Sequence, residues 1–98
     1  MTEAETKAAI LDFLRRRGEV PLTGHKEGYS YILYRGGVWI MVSGDPMVPQ
    51  DEDRTEIDDA QVLTSAFWHV RDRLDHYGPD DGKVTWADVL TFYLDGGY

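Results

Sequence analysis

Tyr29-Ser30-Tyr31-Ile32-Leu33-Tyr34-Arg35-Gly36-Gly37-Val38-Trp39-Ile40-Met41-Val42 is the stretch that decides how this chain folds. Its two arms are rich in aromatic and β-branched residues, which suit a pleated, half-buried surface. Gly36-Gly37 between them can occupy a two-residue turn that requires positive φ. That turn sets Arg35 opposite Val38, Tyr34 opposite Trp39, Leu33 opposite Ile40 and Ile32 opposite Met41. Alternation then places Ile32, Tyr34, Trp39 and Met41 on one face, and Tyr31, Leu33, Ile40 and Val42 on the other. Both faces are apolar. A two-stranded ribbon cannot cover itself, so helices, a third strand or another chain must pack against it.

Working outward, Val20-Pro21-Leu22 reads as a short edge strand, a position that tolerates proline. Before it, a helix is expected over residues 3–17. Thr2 and Glu5 form a capping-box pair, and Ile10, Phe13 and Leu14, with Thr6 and the stem of Arg17, make one stripe. Arg15, Arg16 and Arg17 suit the negative end of the helix dipole, and Gly18 supplies the stop.

After the hairpin, residues 43–54 read as a loop by local composition. A long helix is expected over 56–77, capped by Thr55 and Asp58. Its core stripe is Leu63, Ala66, Phe67, Val70, Leu74 and Tyr77. A short helix over 86–94, capped by Thr85 and Asp88, is apolar almost all round and requires cover. The predicted fold is therefore α+β: an N-terminal helix, a small antiparallel sheet built on the hairpin 29–42, and two further helices. At 98 residues the chain has room for a single small domain, here residues 1–98.

The chain has 18 acidic and 10 basic residues, no cysteine and a net charge of −8. Disulfides, thiolate metal sites and cysteine nucleophiles are excluded, and the excess negative charge disfavours nucleic acid and anionic membranes. The N-terminus lacks an apolar leader and the longest apolar run is too short to span a bilayer, so a cytoplasmic protein is expected. The charge is uneven. Residues 1–40 hold six bases and five acids, whereas residues 41–98 hold four bases and thirteen acids. Such asymmetry points to an interaction face.

Catalytic patterns are absent. The serines, Ser30, Ser43 and Ser65, do not sit in a nucleophile turn, neither Gly-Gly pair matches a phosphate loop, and Asp58-Asp59 and Asp80-Asp81 are sequence neighbours that diverge in direction. His69, Asp72 and His76 share a helix face expected to meet solvent. Seven residues, about 10.5 Å of rise, separate the imidazoles, too far for one ion. Residues 77–88 resemble a degenerate EF-hand loop, with Gly82 at the glycine position and Asp81, Lys83, Thr85 and Asp88 at candidate ligand positions. Its first and third positions fall on Tyr77 and Pro79, which cannot supply carboxylates.

The expectation is thus a non-enzymatic domain without cofactor, binding a protein partner with a basic surface as an inhibitor or immunity-type protein would. Asp51, Glu52, Asp53, Asp58, Asp59, Asp80 and Asp81 are the candidate contacts, with Trp68 and Phe92 as apolar anchors. A self-associating module, as a homodimer, is the alternative, and divalent-cation binding at 77–88 a minor one.

Overall fold

The computed structural model describes residues 1–22, 29–45, 47–77 and 84–96. Along the chain run α1 (Glu3–Arg17), β1 (Glu19–Pro21), β2 (Tyr29–Arg35), β3 (Val38–Asp45), β4 (Val48–Ile57), α2 (Asp59–Tyr77) and α3 (Trp86–Leu94). The four strands form one antiparallel sheet in the order β1-β2-β3-β4. The fold is α+β, as the hairpin and helix patterns imply.

The hairpin has the predicted register, with Arg35 opposite Val38 and Tyr34 opposite Trp39. Gly36 and Gly37 have φ of 61° and 83°, the left-handed region that makes a tight turn between right-twisted strands. α1 begins on the Thr2–Glu5 capping box and stops at Gly18, whose φ is 80°. Its buried positions are Thr6, Ile10, Leu11 and Leu14, so the stripe includes Leu11 beside the expected residues.

Residues 43–54 do not form the expected loop. β3 continues to Asp45, and β4 carries the acidic stretch back along it, with Asp53 opposite Ser43, Arg54 opposite Val42, Thr55 opposite Met41 and Glu56 opposite Ile40. Charged side chains lower strand propensity, yet an edge strand needs only one partner and can leave its side chains in water. Glu56 and Ile57 therefore belong to the sheet, and the long helix starts three residues later than the pattern suggests. Its cap is Asp58 with Gln61, not Thr55 with Asp58: Gln61 N–H donates to Asp58 Oδ1 at 2.8 Å and Asp58 N–H to Gln61 Oε1 at 3.1 Å.

One apolar core joins Ile10, Leu11 and Leu14 of α1, Val20, Ile32 and Trp39 of the sheet, Val62, Ala66 and Val70 of α2, and Val89, Leu90 and Tyr93 of α3. Tyr34, Met41 and Ile57 pack against it from the same side of the sheet. The helices thus cover the Ile32/Trp39 face. His69, expected on the solvent side of α2, is only 2% exposed and lies edge-on to Phe92 of α3, with ring centroids 6.4 Å apart. α3 packs against α2, whose buried residues are Val62, Ala66, His69 and Val70, while Leu63, Phe67 and Leu74 of the expected stripe are half-buried. The cover that α3 needs is partial: Val89, Leu90 and Tyr93 are buried, whereas Leu94 is 61% exposed. No helix among the described residues is long and apolar enough to cross a membrane.

Tyr93 closes the core at 1% exposure, its hydroxyl without a hydrogen-bond partner among the described residues. Burial pushes its phenol well above the ordinary value of 10.0, opposed weakly by Arg17. Below pH 10 the ring is protonated folded and unfolded alike, so Tyr93 adds no pH dependence to stability there. Above that the unfolded chain ionises first and stability falls with rising pH. Tyr93→Phe is therefore expected to match or exceed the parent by about 1 kcal/mol at neutral pH, since it removes an unpaired hydroxyl. In urea titrations it should also lose less stability than the parent between about pH 10 and pH 12. A loss of more than about 2 kcal/mol at neutral pH would show that the hydroxyl has a partner.

Candidate functional site

The sheet has a second face, and its composition follows directly from register. One row across the strands reads Glu19, Leu33, Ile40, Glu56, and the next reads Pro21, Tyr31, Val42, Arg54. Arg35 and Val38 make a further row at the hairpin end. None of Tyr31, Leu33, Ile40 and Val42 belongs to the helix-facing core. Val42 is shut off from solvent between its cross-strand neighbours, whereas Tyr31, Leu33 and Ile40 are half-buried and Val38 is 36% exposed. The two-sided hairpin therefore has helices on one face only, among the described residues.

At the far end of this face, Tyr29 lies across Gly44. A Cβ there would stand 2.7 Å from the Tyr29 hydroxyl oxygen, so only glycine leaves room for the ring. The hydroxyl donates to Glu52 Oε1 at 3.1 Å, while Arg54 Nε donates to Glu52 Oε2 at 3.2 Å. Desolvation, followed by the Glu52 bond, raises the Tyr29 pKa above its ordinary value of 10.0. Tyr29 and Tyr31 stack along β2 with centroids 6.2 Å apart.

The predicted contact residues do not act as one cluster. Asp51 and Asp53 are exposed, and Asp53 falls opposite Ser43, on the helix-facing side of the sheet. Glu52 is half-buried and already engaged by Tyr29 and Arg54. Asp58 is exposed and caps α2. Asp59 serves the fold itself: its carboxylate receives both bonds of Arg15 Nη2 at 3.0 Å and the Trp39 indole N–H at 2.8 Å. The Arg15 guanidinium in turn lies 5.8 Å from the Tyr34 and Trp39 ring centroids. One acid thereby ties α1, β3 and the start of α2 together.

Trp68 is 56% exposed on the outer side of α2, with the Arg71 guanidinium 4.9 Å over its ring. Phe92 is half-buried and, with Leu74, Asp88, Thr91 and Asp95, lines an open cleft of about 290 Å³ between α2 and α3. Asp80, Asp81 and Lys83 lie outside the described residues, as does half of the loop 77–88. Thr85 and Asp88 are spent on each other: Thr85 N–H donates to Asp88 Oδ2 at 2.9 Å and Asp88 N–H to Thr85 Oγ1 at 3.2 Å. Among the described residues no three His, Asp or Glu side chains gather as a metal site. Comparison with family models, with curated proteins and with solved structures finds no match to this chain.

The placement of Glu19 and Glu56 at opposite ends of one outer-face row was not legible in the sequence. The signal was the i, i+2 alternation of Glu52, Arg54 and Glu56, which reads as a strand once its acids are treated as edge residues. Two outcomes check these assignments. Asp59→Ala should cost about 1–3 kcal/mol in denaturant unfolding, mostly through the orphaned Trp39 N–H, because the exposed Arg15 pair contributes under ~1 kcal/mol. Gly44→Ala should displace the Tyr29 ring and return its phenol toward the ordinary range in an absorbance titration; an unchanged titration would contradict the packing of Tyr29 on Gly44.

Proposed function

We propose that this chain is a small non-enzymatic protein-binding domain that docks a basic partner surface through its acidic C-terminal part, as an inhibitor or immunity-type protein does. The observation that carries this reading is the edge position of β4. Asp51, Asp53 and Glu56 project, exposed, from a strand held against β3, and exposed Asp58 follows at once. A strand orders the backbone that bears the carboxylates before a partner arrives, so little loop entropy remains to be lost on binding. Their combined field accelerates encounter with a cationic surface. Asp51, Asp53, Glu56 and Asp58 carry the charge; Asp59 and Glu52 hold the scaffold. Trp68, exposed on α2, supplies an aromatic contact of the kind that dominates interface energetics.

Self-association is a second reading, favoured by the half-buried apolar residues Tyr31, Leu33 and Ile40 on the outer sheet face. Two copies would each bring a charge of −8, which opposes it. Light scattering that shows a monomer at micromolar concentration would remove it.

The main reading is tested by neutralising Asp51→Asn, Asp53→Asn and Glu56→Gln together and following association with the basic partner captured from source cells. The expected result is a fall in the association rate of at least about tenfold at low ionic strength, with a dissociation rate and melting temperature close to the parent's. Equal association rates for parent and triple variant, at both low and high salt, would overturn the reading.

A further inference from the structure

The outer sheet face has the shape and charge of a seat for one kind of structure. Its floor is the two central strands, where Leu33 and Ile40 lie side by side in one row and Tyr31 and Val42 in the next. Its walls are the two edge strands, which place Glu19 and Glu56 at opposite ends of the Leu33–Ile40 row. Four strands at about 4.8 Å spacing set these carboxylate-bearing positions roughly 14 Å apart. A helix with its side chains is about 10–12 Å across. A helix laid along β2 and β3 therefore fills the floor and, at the Leu33–Ile40 row, has both flanks beside a carboxylate.

We propose that the outer face of the sheet binds a basic amphipathic helix of a partner protein. This inference rests on the basic-partner reading and adds to it the face and the partner's secondary structure. An apolar stripe at i, i+3, i+4 and i+7 packs on the half-buried Tyr31, Leu33 and Ile40, with Val42 buried beneath them. Lysines or arginines on the helix flanks extend their stems over the floor and reach Glu19 on one side and Glu56 on the other. The face carries two cations of its own: Arg54 ends the Tyr31–Val42 row on β4, and Arg35 lies one row beyond Leu33–Ile40. Arg54 is bonded to Glu52 at 3.2 Å, and Arg35 stands at the hairpin end, donating to the Tyr34 carbonyl at 3.3 Å. A second copy is disfavoured as occupant because it would bring Glu19 and Glu56 against their like on a chain of net charge −8. The helices on the opposite face already show what this sheet packs against: Ile32 and Trp39 of the same two strands are covered by α1, α2 and α3.

The test uses the whole chain, ¹⁵N-labelled, and two synthetic peptides of about 18 residues with identical leucine and lysine content. One has its leucines in a single helical stripe with lysines on both flanks; the other has the same residues scrambled so that no stripe forms. The striped peptide is expected to shift the amide resonances of Tyr31, Leu33, Ile40 and Val42. It should bind at least tenfold more tightly than the scrambled one and become helical on binding by circular dichroism. Glu19→Lys with Glu56→Lys, both surface positions, should weaken it at least tenfold while leaving the protein's own amide spectrum dispersed. Equal affinity for both peptides overturns the helix seat yet leaves basic docking standing. Shifts confined to β4 or to the α2–α3 cleft overturn the location. Concentration-dependent shifts of the same four residues without peptide identify a second copy as occupant and overturn the proposal. Absence of binding by the striped peptide overturns it as well. The basic-partner reading is decided separately by the triple variant on β4.

Discussion

A ribbon of two strands that is apolar on both faces must be covered twice, and the helices among the described residues cover it once. That constraint organises the molecule. β1 and β4 extend the ribbon to four strands, α1, α2 and α3 share one core on the Ile32/Trp39 side, and the Leu33/Ile40 side is left half-buried by its own neighbours. Asp59 fastens the covered side at its corner. The same carboxylate that begins α2 holds Arg15 of α1 and the Trp39 indole of β3. Because the helices are committed to one face, the composition of the other is free to serve something outside the core.

Charge follows the same division. The excess acid of the C-terminal part was visible as a count, but its meaning depends on the backbone that carries it. On a mobile loop, Asp51 to Glu56 would be solvated charge that contributes mainly to solubility. On an edge strand they alternate in direction, Glu52 engaging Tyr29 and Arg54 on the outer face while Asp53 stands opposite Ser43 on the other. The strand also guards itself, since acidic side chains along an open edge discourage pairing with a second copy. A basic partner meets the opposite situation.

The hairpin register, α1 with both caps, and the short edge strand at Val20-Pro21 were legible in the sequence because each rests on local chemistry: two glycines at positive φ, a threonine–glutamate pair, a proline at an edge. β4 was not. Its pattern of Asp, Glu and Arg has the composition of a turn, and what makes it a strand is non-local, the exposed edge of Val38 to Ser43 waiting for a partner. The buried His69 was missed for a related reason. Nothing in α2 alone reveals that α3 lies beside it with Phe92 edge-on to the imidazole. Of the candidate contacts, Trp68 falls off the apolar stripe Leu63, Ala66, Phe67, Val70 and is exposed, whereas nothing local shows that Asp59 is consumed by Arg15 and Trp39.

The account stands or falls on whether the acidic segment 48–57 is a strand of the sheet, because the edge that presents its carboxylates and the row that ends at Glu56 both depend on it. Amide hydrogen exchange measured residue by residue across this segment tests that most directly. Alternate amides of residues 53–57 should be protected through their bonds to β3, with the intervening, outward-facing ones exchanging fast. Uniform exchange at the rate of an unstructured peptide across the whole segment would contradict the account.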